Sequence, residues 1–402
     1  MSHKSKPSPD SQRYAARGVS ASKDEVHAAV DKLDRGIFPG AFCKITPDYL
    51  TGNPAQGVVT HSDGSGTKAL LAYLWWKETG DAKVFRGIAQ DSIVMNIDDL
   101  LCVGVTSGVI LSSTINRNAK NIPGEILAQL IEGTEEVLAM LRDQGFGIQS
   151  GGGETADVGD LTPTLTVDST ATAILPRHSV IDASRIIPGL AIVGISSSGQ
   201  SRYESQKNSG IGSNGLTSAR HELLSKYYAE KYPETYDHAM REDLAYCGPH
   251  RLDSPLPKSS MTIGQALLSP TRTYAPFVIR LLKEFSPDAI KGIIHCSGGG
   301  LVKCRRFGTG VHFIKDNLFT APPIFAEIAR VSRTPEKEMH QVYNMGHRLE
   351  IYTNPDKASE VVELANTLGL EAKIIGKTEA STLPQQANHV TIIKDKETLV
   401  YT

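Results

Sequence analysis

The chain has 402 residues, 40% hydrophobic and 21% charged, with a formal net charge of −2. Such a balance belongs to a globular protein with core enough for two or three domains. It excludes a global basic footprint for nucleic acid, and no apolar run approaches the roughly 18 residues that a membrane span requires.

The N-terminus, Met1-Ser2-His3-Lys4-Ser5-Lys6-Pro7, is polar and lacks the apolar centre of a secretion signal. Residues 1–13 therefore read as a disordered arm. Cys43, Cys102, Cys247, Cys296 and Cys304 show no paired metal spacing and read as reduced thiols of a cytoplasmic protein.

A β-like Val58-Val59-Thr60 leads into His61-Ser62-Asp63-Gly64-Ser65-Gly66-Thr67-Lys68. Glycines let backbone N–H groups approach an anion, and aspartate holds a hard cation. The octet reads as a nucleotide–metal loop, with a tight strand-to-helix turn as the competing reading. Its spacing is not that of a phosphate-binding NTPase loop. Ile88, Ile93, Ile97 and Leu101 then trace a helix carrying Asp98-Asp99 and ending near Gly104. Residues 108–114 are β-like, and Pro123 starts a second helix with Leu127, Leu130, Val137 and Leu141 on one face. The run Ser150-Gly151-Gly152-Gly153-Glu154-Thr155-Ala156-Asp157 follows, and Leu165, Val167, Ser169, Ala171 and Ala173 alternate along a long strand.

Punctuation by Pro176 and Pro188-Gly189 puts a domain boundary near residues 177–188. A buried-type strand restarts at 190–195. Helices are predicted near 216–230, 274–285, 323–331 and 356–368, and strands near 291–295, 348–353, 371–376 and 389–394. The tyrosine-rich stretch within 225–260 reads as a surface helix and loop. Three further clusters carry chemistry. Ser213-Asn214-Gly215 opens a helix. Pro270-Thr271-Arg272-Thr273-Tyr274 offers a guanidinium fork for carboxylate or phosphate. His295-Cys296-Ser297-Gly298-Gly299-Gly300 follows a strand, where backbone N–H groups can hold an oxyanion; a glycine-rich turn is the alternative.

Taken in order, Asp-Gly-x-Gly-Thr-Lys, Gly-Gly-Glu-Thr-Ala, Pro-Thr-Arg-x-Tyr and Ser-Gly-Gly-Gly resemble the landmarks of the phosphoribosylformylglycinamidine cyclo-ligase (aminoimidazole ribonucleotide synthetase) family, from about Tyr14 to the C-terminus. The resemblance implies a two-domain α+β fold: a mixed-sheet N-terminal domain, residues 14–180, binding ATP and metal and joining a homodimer, and a larger C-terminal α+β substrate domain, residues 188–402. It implies an ATP- and Mg²⁺-dependent cytoplasmic ligase of purine biosynthesis that closes formylglycinamidine ribonucleotide to aminoimidazole ribonucleotide, with no nucleic-acid or membrane partner. Another ATP-using kinase or synthetase of the superfamily, or a non-catalytic nucleotide-binding subunit, are the alternatives.

On this resemblance Asp63, Asp99 and Glu154 converge as metal ligands, and Lys68 neutralises phosphate. Gly64, Gly66, Thr67, Gly152, Gly153, Thr155 and Asn344 line the nucleotide. Ser213, Asn214, Arg272, Ser297, Gly298, Gly299 and Gly300 hold the ribonucleotide, and His295 donates to substrate or orients it; a core histidine is the competing reading. His61 reads as a satisfied polar group. Four departures from the family pattern stand out. Asp98 replaces an asparagine, Gly212 a histidine, and Val105-Thr106-Ser107 an Ala-x-Pro. Gln341 falls where an arginine is lost, with His347 and Arg348 nearby as candidates to compensate. Residues 200–212 look inserted, as an anion-touching lid or a solvated loop.

Overall fold

The computed structural model describes residues 12–20, 24–30, 32–395 and 397–402. The arm predicted over 1–13 lies outside these residues except for its end, where a short helix, Gln12–Ala15, begins.

The first sheet contains β1 (Ile45–Pro47), β2 (Gln56–Gly64), β3 (Val109–Arg117), β4 (Ile148–Asp157) and β5 (Leu165–Pro176), in the order β1-β2-β5-β3-β4. Only β3 and β4 pair in parallel. The alternation expected along β5 is present: Leu165, Val167, Ser169, Ala171, Ala173 and Leu175 are buried, with more accessible residues between them. Its buried face meets the helix Val84–Leu101, whose Ile93, Ile97 and Leu100 share an apolar cluster with Val59, Leu111 and Ala171. On the opposite face Ser62 pairs with Thr170 and Thr60 with Thr172, hydroxyl to hydroxyl, at 2.6 and 3.1 Å. Ile110 is 58% exposed on that face. The sheet therefore buries one side and leaves the other open.

The second sheet runs β12-β11-β8-β10-β6-β9-β7. Its strands are β6 (Ala191–Ser196), β7 (Ile290–His295), β8 (Val311–Lys315), β9 (His347–Thr353), β10 (Ala372–Ala380), β11 (His389–Lys394) and β12 (Glu397–Tyr401). Every residue of β6 and β9 is buried, as suits strands covered on both sides. The two sheets do not have separate cores. Ile97 and Leu100 belong to the same apolar cluster as Val193, Ile195, Tyr274 and Leu349.

Three sequence expectations need correction. The helix predicted over 216–230 is two helices, Leu216–Leu223 and Tyr227–Lys231, because Leu224 is extended. The tyrosine-rich stretch is a surface element on one side only, with Asp237, His238, Arg241 and Glu242 exposed. Tyr228 and Tyr246 are buried, and the Tyr246 hydroxyl accepts from Arg220 Nη1 at 2.6 Å. Residues 200–212 are not a loose lid: Ser201, Asn208 and Ser209 are buried, and Asn208 Nδ2 donates to the Pro270 carbonyl at 2.7 Å. The helix Glu336–Val342 and strands β8 and β12 were not anticipated. Among the described residues, no helix is long and apolar enough to cross a membrane.

Candidate active site between the two sheets

The helix Val84–Leu101 carries Asp91, Asp98 and Asp99 at i, i+7 and i+8, a spacing that puts all three on one face. All three are buried, and each meets a different part of the chain. Asp91 Oδ1 accepts from Lys68 Nζ at 2.8 Å and from the Thr271 backbone N–H at 2.7 Å. Lys68 is fully buried, and its ammonium also donates to the carbonyls of Gly212 and Ser269, at 3.2 and 2.6 Å. Three acceptors use its three protons. The expectation that Lys68 neutralises phosphate is therefore corrected: it ties the first glycine loop to two loops of the second half.

Asp98 accepts from the Thr273 hydroxyl at 2.8 Å, the Tyr274 N–H at 3.2 Å and Arg348 Nη2 at 3.2 Å. Burial pushes its carboxyl up to about 7 against the pull of Arg348. Asp99 behaves oppositely. Burial alone would raise it, but Lys303, His295 and His61 together hold it down at about 2. His295 Nδ1 donates to Asp99 Oδ1 at 2.5 Å, and His61 Nε2 lies 3.3 Å from Asp99 Oδ2.

Burial lowers the His295 imidazole to about 4, even with Asp99 beside it. The neutral ring with its proton on Nδ1 leaves Nε2 as a lone pair, which is buried and has no partner among the described residues. His61 Nδ1 sits 3.1 Å from Asn96 Oδ1. The amide orientation is fixed, because Asn96 Nδ2 donates to the carbonyls of Asp63 and Ser169, at 3.1 and 2.9 Å. Both ring nitrogens of His61 thus face side-chain oxygens, of Asn96 and of Asp99. Asn96 also links this cluster to the strand end at Asp63.

The triple glycine lies beside these groups. Gly299 and Gly300 have φ of +98° and +53°, and a side chain at 300 would collide with the His340 carbonyl. Gly298 is open: the nearest atom to an added Cβ is Asn214 Nδ2, 4.0 Å away. Lys303, from the 3₁₀ turn Gly300–Arg306, donates to Ser297 Oγ at 2.8 Å and lies 4.4 Å from the Phe42 ring centre. Ser213 and Thr271 share a 2.8 Å hydroxyl contact, and Thr67 and Thr217 one of 2.9 Å. Asn214 Oδ1 is buried without a partner among the described residues.

The fold thus gathers Asp63, Thr67, Lys68, Asp99, Ser213, Asn214, His295 and Ser297–Gly300 around one seam. It does not bring Glu154 there within one chain. Asp63 faces Ser169, Ser169 faces Ser113, and Ser113 faces Gly153 in register, so three strand spacings, about 14 Å, separate Asp63 from the start of that motif. Glu154 is exposed and pairs with Thr114, which pairs with Asp168, so it shares the open face of the sheet with Thr170. Gly152, Gly153 and Thr155 lie on the same exposed edge strand. Within one chain, then, Asp63 and Asp99 come near one another and Glu154 does not join them.

Two further placements differ from expectation. Arg272 does not present its fork to a ligand. Glu204 takes Nε and Nη2 at 2.8 and 2.6 Å, and the Ser196 and Ser198 carbonyls take Nη1. Asn344 is buried and used on both sides of its amide, accepting from Ser197 Oγ at 2.8 Å and donating to the Gly210 carbonyl at 2.9 Å. Both side chains position loops. Sequence reading passed over Asp91, Asn96 and Lys303, although Asp91 stands seven residues before Asp98 on the same helical face.

Two family models match, described as the N-terminal domain of AIR synthase related protein over residues 46–175 and its C-terminal domain over 188–384. The phosphoribosylformylglycinamidine cyclo-ligase of Pyrococcus furiosus is 30% identical over 308 residues, 76% of this chain and 74% of that one. The cyclo-ligase of Methanocaldococcus jannaschii is 27% identical over 321 residues, 80% of this chain and 77% of its own. Among solved structures, a HypE–HypF complex matches with a TM-score of 0.54 at 15% identity, covering 95% of this chain and 99% of that one. Thermotoga maritima PurL complexed with FGAR matches with a TM-score of 0.56 at 14% identity over 98% of this chain, which spans about half (52%) of PurL. These structural likenesses show the fold. With both domain models matched in order, the chain belongs to the AIR synthase related family, that of the phosphoribosylformylglycinamidine cyclo-ligases.

Proposed function

We propose that this protein is an ATP-dependent cyclo-ligase that closes formylglycinamidine ribonucleotide to aminoimidazole ribonucleotide, releasing ADP and phosphate. The observation that carries the reading is the seam itself. The first glycine loop, Ser213-Asn214, the triple glycine and a buried neutral His295 are tied together by Asp91, Asp98 and Asp99 of one helix. Relatives bearing the cyclo-ligase name over three quarters of the chain support it.

In this reading ATP activates the formyl oxygen, the amidine nitrogen attacks, and phosphate leaves as the ring closes. Positioning is the main requirement, since nucleophile and electrophile belong to one substrate. In the loop Ser297–Gly300 the Ser297 and Gly300 N–H groups donate to the His295 and Ser297 carbonyls, so those of Gly298 and Gly299 are the ones offered to the substrate phosphate. His295 Nε2 is an acceptor for a substrate N–H, with its tautomer held by Asp99. Lys68, Arg272 and Asn344 act through the loops they hold.

A bound Mg²⁺ would supply charge neutralisation for the triphosphate. The donor set fits in part. Asp63 is an exposed carboxylate at the mouth of the glycine loop, whereas both oxygens of Asp99 already face imidazoles. Glu154 fits only if a second chain covers the open face, so its place as a ligand rests on a homodimer through the first sheet. ADP release coupled to formylglycinamidine ribonucleotide, with detection of the aminoimidazole product, tests the function. ATP consumption that gives a phosphorylated product without ring closure would instead select a kinase of the same fold. The changes at Asp98 and Gly212 favour keeping that second reading.

A further inference from the structure

Arg348 stands on β9 and is 2% exposed. One end of its guanidinium is anchored: Nη2 donates to Asp98 Oδ2 at 3.2 Å and to the Arg272 carbonyl. Nε, by contrast, is buried with no acceptor among the described residues. A buried guanidinium with an unused N–H group is costly unless an acceptor arrives.

The side chain borders Gly212. A Cβ built there would lie 3.3 Å from Nη1 and 3.6 Å from Cδ, so Arg348 occupies the space that a side chain at 212 would need. Gly212 also has a φ of +68°. It opens directly into Ser213-Asn214, whose Asn214 carries another unpartnered buried atom of the seam and faces Gly298. Arg348 is thus a cation lodged behind two loops read as ligand-binding, anchored through Nη2 and unsatisfied at Nε.

We propose that Arg348 binds a phosphoryl oxygen of the substrate pair, with Asp98 orienting it and Gly212 leaving it room. The proposal rests on the cyclo-ligase reading for its ligands. The oxygen belongs either to the ribonucleotide or to ATP, and the two sources are separable. Guanidinium suits this task because it stays charged and donates from a planar fork. The bland alternative is that Arg348 only neutralises Asp98.

Arg348→Gln alone confounds the two, since it leaves Asp98 buried without its cation. The decisive protein is Asp98→Asn/Arg348→Gln, which exchanges the ion pair for a neutral amide pair. Its KM for formylglycinamidine ribonucleotide and for ATP with Mg²⁺ is compared with that of the unsubstituted protein, alongside thermal midpoints and calorimetric binding of each ligand. We expect the double variant to regain most of the midpoint lost by Arg348→Gln, yet to show KM raised at least tenfold for one ligand, with kcat changed less. The ligand affected identifies the source. A double variant with both KM values unchanged makes Arg348 a charge partner only and overturns the proposal. If the double variant does not fold, Arg348→Lys decides, because it keeps the charge and loses the fork. A KM raised several-fold in a stable protein supports the proposal, and unchanged KM values overturn it. Failure of the unsubstituted protein to bind either ligand overturns the cyclo-ligase reading and this proposal with it. Binding of both ligands with a different product overturns the cyclo-ligase reading alone.

Discussion

The carboxylates of this molecule divide into two groups. Asp91, Asp98 and Asp99 lie on one helix, buried, each with a named cation or imidazole against it. Asp63 and Glu154 lie on strands and are exposed. In sequence all five are simply acids, and nothing distinguishes the groups by residue type. The structure separates them by what burial demands. A buried carboxylate needs its donors supplied by the fold, so it becomes a tie between distant segments. An exposed one is solvated and does not depend on the fold for its donors. The helix group joins distant segments of the two halves, and the strand group faces solvent.

Removing a tie is the severest way to break this division. Lys68→Met leaves Asp91 buried, with Oδ2 already unpartnered among the described residues. Loss of one partner of a buried pair costs about 3–5 kcal/mol. Urea unfolding should show that loss, and Lys68→Met/Asp91→Leu should recover part of it. A loss below about 1 kcal/mol in the single variant would mean that this pair does not hold the seam.

Acid tests the same group by protonation. The ordinary histidine value is about 6.5. His295 is held at about 4 in the fold. Between these values the unfolded chain takes up a proton that the folded ring refuses, so stability falls as pH drops from about 6.5 to about 4. Each unit is worth about 1.4 kcal/mol, giving an upper bound near 3 kcal/mol for this residue. His340, also lowered to about 4, adds to the slope. Asp98, raised to about 7, works against it, since its contribution is lost as pH rises. The readable quantity is therefore a difference. His295→Asn should flatten the dependence of unfolding free energy on pH across this window by about one proton. Parallel curves for variant and unsubstituted protein would show that the ring is not held neutral.

Much of this was legible in the sequence, and the part that was not has a physical cause. The alternation of β5, the stripe Ile88–Leu101 and the glycine runs marked their elements, because local periodicity encodes burial of one face. The break at Leu224 and strands β8 and β12 were not marked, since tertiary packing decides them. Motifs located the seam but not the roles within it. Arg272 reads as a ligand fork by type, and only the fold shows Glu204 occupying it. Glu154 follows three glycines as a loop would, yet those residues form an edge strand whose pairing places it on the open face. The partner of a buried charge is set by contacts 23 to 250 residues apart along the chain, as for Lys68–Asp91 and Asp98–Arg348, which no local pattern records.

The exposed group should respond in activity rather than in stability. Asp63→Asn keeps the side chain's shape and removes its charge. Surface substitutions away from special features change stability by about 0.5 kcal/mol or less. Mg²⁺-dependent ATP turnover should fall at least about tenfold, or about 1.4 kcal/mol of transition-state stabilisation. A stable variant with full activity at limiting Mg²⁺ would remove Asp63 from the proposed site.

The smallest effect is expected at Gly298, and it sharpens the contrast inside a single loop. Gly300 is needed by the fold, since any side chain there meets the His340 carbonyl. Gly298 has no such restriction: an added Cβ meets only Asn214 Nδ2, at 4.0 Å, an ordinary contact. Its lack of a side chain therefore answers to something other than packing within this chain. If a phosphate approaches the backbone N–H groups here, a methyl group at 298 lies in its path. Gly298→Ala should fold with stability within about 0.5 kcal/mol of the original. It should raise KM for the ribonucleotide about three- to fivefold, near 1 kcal/mol of lost binding, with kcat little changed. Steady-state kinetics on a variant with an unaltered thermal midpoint reads this directly. An unchanged KM would place the phosphate away from the triple glycine, and the backbone of Gly299 and the packing of Gly300 would then account for two of its three glycines.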